Sequence, residues 1–247
     1  MKKYAVITFL FNNYDLLREP LIVDENADYY CMTDDKSLTS GVWKIIYIED
    51  FDNNQLTSIQ KTYMAKYSFY KYIPINYEYF ITIDASIEVC DKLLPILEYM
   101  DYNKYDIGLS LHPHRNKWSD EYNIWINVRG LNRKYYNIFS KYASNKGYNI
   151  DDENGLIECT IKIYKNNKPN IEFINDVYNT LKSTNNFEDK NDQCYFTCVY
   201  GDHKNMLNAM FFYQQLYSTS KFFKSYFHKS KNRWITDRTK ENNTNKL

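Results

Sequence analysis

The sequence predicts an α/β domain, with a mostly parallel sheet flanked by helices and a basic helical C-terminal extension. Three observations predict it. Short apolar runs alternate with segments of helical period, the pattern of strands joined by crossover helices. Polar or acidic turns follow several of these runs: Asn12-Asn13, Thr33-Asp34-Asp35 and Asp84-Ala85-Ser86. From Lys204 onward the charges become mostly Lys and Arg, with aromatics between them.

Each element has its own signal. Tyr4 to Phe11 is an apolar run and reads as the first strand. Residues 27–32 (Ala-Asp-Tyr-Tyr-Cys-Met) and 42–48 (Val-Trp-Lys-Ile-Ile-Tyr-Ile) read as the second and third. Between Ser58 and Tyr72, Ile59, Tyr63, Tyr67 and Tyr70 recur at helical spacing and predict one buried stripe, ended by Pro74. Tyr79 to Ile83 reads as a strand, Lys92 to Met100 as a short helix and Asp106 to Leu111 as another strand. From Glu121 to Asn145 the pattern predicts a single helix, with Ile124, Val128, Leu131, Tyr135 and Phe139 on one side. Gly147 and Gly155 bracket a loop, and Glu158 to Tyr164 alternates as a strand does. Helices are expected over 170–183 and 192–200. The resulting division is a domain over 1–203, a basic aromatic helical extension over 204–235 and a polar, disordered tail over 236–247.

Composition narrows the function classes. At 247 residues the chain can bury a large core. Its formal net charge of zero makes nucleic acid a poor partner. The 26 Tyr and 14 Phe, with abundant Asn and Lys, read first as the bias of an AT-rich genome. The five cysteines show no paired metal-ligand spacing, and an odd count points to reduced thiols and a cytoplasmic setting. The N-terminal apolar run stops at Asn12-Asn13 without a small-residue cleavage site, so it reads as a strand and not as a signal peptide. No apolar run reaches the length of a membrane span. The basic aromatic C-terminal stretch reads first as a packed helix with a solvated basic side. Peripheral contact with the inner face of a membrane, or a lid over a diphosphate, are the alternatives.

The candidate chemistry gathers at strand ends. In open α/β sheets, ligands bind at the edge outside the carboxyl ends of the strands. Asp84 ends a buried-looking strand there, with Ser86 two residues on. Asp34 and Asp35 follow the second strand; either can hydrogen-bond a base or ribose, or simply form a turn. Lys61 and Lys66 lie on the helix before Asp84, where each is a candidate for a phosphate contact and more simply part of a solvated face. His112-Pro-His-Arg115 is the densest polar cluster: Arg115 can hold a phosphate bidentately, and a histidine can act as ligand or base. Glu121 begins the next helix, and Asp192-Gln193 opens a buried-looking one, where Asp192 is also suited to capping.

Taken in order, several segments resemble a glycosyltransferase-like family long carried as a domain of unknown function. Its members occur in bacterial capsule and lipopolysaccharide clusters and among plant mucilage-type enzymes. The pieces are residues 13–17 (Asn-Tyr-Asp-Leu-Leu), 28–35 (Asp-Tyr-Tyr-Cys-Met-Thr-Asp-Asp) and 41–44 (Gly-Val-Trp-Lys). Then come 79–88, containing Asp84-Ala85-Ser86, and 111–115 (Leu-His-Pro-His-Arg) with Asp120-Glu121 beyond. The last are 155–158 (Gly-Leu-Ile-Glu) and 191–196, containing Asp192-Gln193. Asn191 stands where the family usually has Arg, and Asp176-Val-Tyr178 where it has a Trp pair.

The resemblance implies a GT-A-like, Rossmann-like fold and a sugar moved from a nucleotide-sugar donor to a glycan or glycolipid acceptor. It implies Asp192 as general base, with Glu158 as the competing candidate. Donor contacts would come from Asp34, Lys61, Asp84, Ser86, His112 and Arg115, and acceptor contacts from Glu121 and Gln193. A divalent cation, Mn²⁺ or Mg²⁺, would sit on Asp84 and a late His228, although the family-type Asp-x-Asp motif is here reduced to Asp84-Ala85-Ser86. The reduced motif also fits a non-catalytic carbohydrate-binding subunit of a glycan-assembly complex. A third reading is a metal-dependent hydrolase using His112, His114 and Asp84.

Overall fold

The computed structural model describes residues 2–51, 55–74, 76–213 and 221–226. The predicted α/β class is what it shows. Seven strands form one sheet in the order β3-β2-β1-β4-β7-β6-β8. These are β1 (Tyr4–Leu10), β2 (Ala27–Thr33), β3 (Lys44–Tyr47), β4 (Tyr79–Asp84), β6 (Ile107–Leu111), β7 (Ile157–Lys165) and β8 (Ala209–Tyr213). Only β7 runs against the others, pairing antiparallel with both β4 and β6. The carboxyl ends of six strands and the amino end of β7 therefore share one edge. A second, two-stranded sheet pairs β5 (Ile87–Val89) with β9 (Phe223–Ser225).

Burial on both faces explains why the strands read as near-continuous apolar runs. On one face Ala5, Ile7 and Phe9 of β1 pack with α1 (Ser58–Lys66), α3 (Trp118–Arg129), α4 (Arg133–Asn145), α5 (Lys168–Asn185) and α6 (Asp192–His203). On the other, Tyr4, Val6 and Leu10 pack with α2 (Leu94–Tyr102) and the small sheet. The tyrosine-rich core needs partners for its hydroxyls, because a buried O–H without one is costly. Carboxylates supply many of them: Tyr4 donates to Asp24, Tyr77 to Asp28, Tyr79 to Asp101 and Tyr122 to Asp189.

Three expected elements differ from what forms. The helix expected over 58–72 ends at Lys66, and residues 69–71 make a separate 3-10 turn. The single helix over 121–145 is two helices. Gly130 adopts a left-handed φ of 68°, caps α3, and Asn132 caps α4 by accepting from the Lys134 N–H. The stretch 204–235, expected as a helical extension, is β-strand over much of its described part. Its Ala-Met-Phe-Phe-Tyr run forms β8 on the sheet, and Phe223 of β9 is buried against the small sheet's side of the core. Aromatic residues on a half-buried pleated surface favour strand. The tail over 236–247 lies outside the described residues.

Candidate functional site

The shared strand edge collects acids from strands and lysines from a helix. The helix is α1, started by a capping box in which Thr57 and Gln60 satisfy each other's backbone N–H groups. Two lysines of α1 reach back over the strand ends, and neither is solvated. Lys61 is 1% exposed and Lys66 3%, so the solvated-face expectation is overturned for both. Lys61 Nζ lies 2.5 Å from Asp34 Oδ2 and 2.9 Å from Asn12 Oδ1. The Asn12 N–H closes the group by donating to Asp34 Oδ1 at 2.9 Å. Asn12 and Asn13 both hold positive φ, a conformation asparagine tolerates better than most residues.

Lys66 joins the two acids of greatest interest. Its Nζ lies 3.1 Å from Asp84 Oδ1 and 3.4 Å from Asp192 Oδ2. Tyr67 donates to the same Asp192 Oδ2 at 2.7 Å. Burial alone would push the Lys66 ammonium down, but the charges of Asp192 and then Asp84 override it and hold it well above the ordinary lysine range. Asp192 does not cap its helix. The cap position belongs to Asn191, which makes no side-chain capping bond, and Asp192 turns toward Lys66 instead.

A second ammonium lies beneath. Lys162, in β7, is fully buried, donates to the Cys159 carbonyl at 2.7 Å and sits against the rings of Tyr67 and Phe196. Burial, then repulsion from Lys66, brings its pKa down to about 8. Cys159 is pushed up to about 12 by burial and then by Asp192, so it is an inert thiol and not a nucleophile.

The remaining predicted residues form the other flank. Glu121 is 1% exposed and ion-pairs with Arg115 Nε. Its Oε1 accepts from Trp125 Nε1 at 2.7 Å and from Gln193 Nε2 at 3.4 Å, which ties α3 to the start of α6. Arg115 also packs on His112. Burial, then the charge of Arg115, lowers the His112 pKa to about 3, so this ring is neutral and too weak a base to take a proton near neutral pH. Glu158, opposite Ser110 near the amino end of β7, belongs to the same edge. Ser86 lies in the turn after β4, where its carbonyl accepts from the Tyr226 N–H at 2.9 Å.

Hard cations need several oxygen ligands around one point. Among the described residues no group of three or more His, Cys, Asp or Glu side chains converges in that way. Asp84 and Asp192 do converge, but on the ammonium of Lys66. The expected ligand His228 lies outside the described residues.

A separate hollow lies away from this edge. A groove of about 880 Å³ runs between α4, α5 and α6, lined by Lys146, Asp176, Lys182, Asp202 and His203 among others. His203 closes α6, roughly 16 Å along the helix axis from Asp192 at its start. Of the residues around the strand-edge acids, Lys66 was a sequence candidate, whereas Tyr67 and Lys162 were not. Lys162 carried one signal: a lysine in mid-strand in a sheet covered on both faces.

Among the described residues, no helix is long and apolar enough to cross a membrane. No family model matches the chain, and no curated protein matches it. Among solved structures it is similar to the mannosyltransferase Ktr4p from S. cerevisiae, at 11% identity and a TM-score of 0.45, over 85% of this chain and 68% of that one.

Proposed function

We propose that this protein is a glycosyltransferase that moves a sugar from a nucleotide-sugar donor to a glycan or glycolipid acceptor in the assembly of a surface polysaccharide. The observation that carries the reading is the meeting of Asp84, Lys66 and Asp192, from β4, α1 and α6, at the carboxyl edge of the sheet. Asp192 is the base. Tyr67 and Lys66 both bond its Oδ2, which fixes the carboxylate and aims it. As the acceptor oxygen bonds to the anomeric carbon, its proton passes to Asp192 and the donor's sugar–phosphate bond breaks. The leaving nucleoside diphosphate takes the electron pair, and the cationic groups of the edge stabilise its charge. Glu158 is the alternative base.

Asp84, 29% exposed at its side chain, has the reach to bond donor hydroxyls. Asp34, held by Lys61 and Asn12, faces the ribose or base. Arg115 and His112 line the donor's phosphate side, with Glu121 and Gln193 toward the acceptor. Peripheral membrane contact is assigned to the basic aromatic stretch over 204–235, of which residues 214–220 and 227–235 lie outside the described part.

A thermal-shift screen against UDP-, GDP-, CMP- and dTDP-sugars tests the reading. One nucleotide class should raise the melting temperature, since a ligand selective for the folded state stabilises it. Asp84→Ala should abolish the shift. No shift with any donor would sink the proposal. A shift without any transfer or donor hydrolysis would instead identify a carbohydrate-binding subunit.

A further inference from the structure

We propose that the Lys66 ammonium stands where a divalent cation would, so that this edge binds no metal and meets a diphosphate with side-chain cations alone. The diphosphate half rests on the transferase reading above; the metal half does not.

The geometry carries the argument. A cation bridging β4 and α6 would use the oxygens that Lys66 now uses, Asp84 Oδ1 at 3.1 Å and Asp192 Oδ2 at 3.4 Å. Tyr67 further loads the second of these, at 2.7 Å. The ammonium cannot easily swing away. Its side chain is 4% exposed, and it ends a helix whose other lysine is anchored on Asp34. A dication placed beside it would meet a like charge within a few ångströms, in an interior where screening is weak. Lys162 adds a second buried ammonium on the same side of the sheet, bonded to a carbonyl and with no carboxylate bond of its own among the described residues. Two ammoniums and two carboxylates therefore lie within electrostatic reach of one another, with Lys66 in direct contact with both acids. That balance is already neutral, and it turns cationic toward a ligand once Asp192 accepts a proton. The reduced motif, Asp84-Ala85-Ser86, fits the same logic: a second acid at position 86 serves a metal, and Lys66 makes it unnecessary.

The test uses the full chain and titrates Mn²⁺ while the free-ion EPR signal is read. Wild type and Asp84→Asn should deplete that signal equally, with no Asp84-dependent site up to millimolar Mn²⁺. An Asp84-dependent site in the wild type overturns the proposal. Lys66→Ala should gain one site, at least tenfold tighter than any in the wild type and lost again in Lys66→Ala/Asp84→Asn. A folded Lys66→Ala that gains none also overturns it. Should that variant not fold, the comparison of wild type with Asp84→Asn decides alone. Calorimetry with UDP, GDP and dTDP then addresses the diphosphate. Affinity equal within twofold in EDTA and in Mn²⁺ supports the proposal, whereas binding that requires Mn²⁺ overturns it. Absence of binding in both buffers overturns the diphosphate half together with the transferase reading, and leaves the metal half to the EPR result.

Discussion

Two regions of the molecule carry clustered charge, and they differ in what surrounds it. In the groove between α4, α5 and α6, Lys146 pairs with Asp202 at 2.8 Å, with side chains 44% and 34% exposed. At the strand edge, Lys66 and Lys61 pair with their acids at side-chain exposures of 4% and 2%. The groove's Lys146–Asp202 pair keeps far more of its water than the strand-edge lysines do. Exposed pairs contribute about 0–1 kcal/mol. Burying charge costs far more unless partners and hydrogen bonds offset it. Charged groups held largely out of water at the edge where α/β sheets bind ligands make that edge the candidate site.

The sharpest way to break this comparison is to remove the base. Asp192→Asn should lower the rate of sugar transfer by roughly 10²–10⁴-fold, the usual worth of general-base catalysis. Donor affinity, read by calorimetry, should change far less, since the amide still accepts from Tyr67. If the rate stays within tenfold of wild type, the base is elsewhere, and Glu158→Gln becomes the variant to measure.

Next in size is a stability contrast between the regions. Lys66→Met leaves Asp84 and Asp192 facing each other without their cation. Removing one partner of a buried pair costs about 3–5 kcal/mol, and the partial exposure of Asp84 puts this case at the low end. Lys146→Met in the groove should cost less than about 1 kcal/mol. Urea midpoints of the two variants test the contrast directly. Equal shifts would mean that the strand edge is no more buried in solution than the groove.

How much of this could be read beforehand differs from element to element. The strands were legible because a sheet covered on both faces demands apolar runs, and the polar turns after them marked the strands' carboxyl ends. Asp84, Asp34 and Arg115 stood out as polar groups following buried runs, and Asp192 as an acid opening a buried helix, but a turn for Asp34 and a cap for Asp192 were equally open readings of the sequence. The split at Gly130 was not, because apolar spacing continues across it and only the left-handed φ breaks the helix. Nor was β8, whose aromatic run sits beside basic residues that favoured a helical reading. Lys61 and Lys66 were ambiguous in principle. A lysine on a helix is usually solvated, and only the path of α1 across the strand ends turns these two inward. Tyr67 read as core, and it is core. Its hydroxyl makes it part of the site, and periodicity carries no information about a hydroxyl.

Lys162 supplies a subtler test. Its pKa of about 8 in the folded chain lies below the free lysine value of 10.5, so between those values the unfolded chain holds the extra proton. Stability from this group therefore rises as pH climbs from 8 to 10.5, and below 8 the buried charge is a full penalty. That penalty is roughly 3 kcal/mol. Losing the bond to the Cys159 carbonyl returns about 1 kcal/mol of cost. Lys162→Met should thus stabilise the protein by about 1–2 kcal/mol at pH 7, with the gain fading toward pH 10.5. Urea denaturation of both proteins at pH 7 and pH 10 measures it, and a gain independent of pH would mean that packing, not ionisation, is responsible. The same variant should bind UDP or GDP more weakly. Proteins keep groups that cost stability where function needs them. A stabilised variant with weakened nucleotide binding would place Lys162 among those groups. One with unchanged binding would restrict the ligand-facing cations to Lys66 and Arg115.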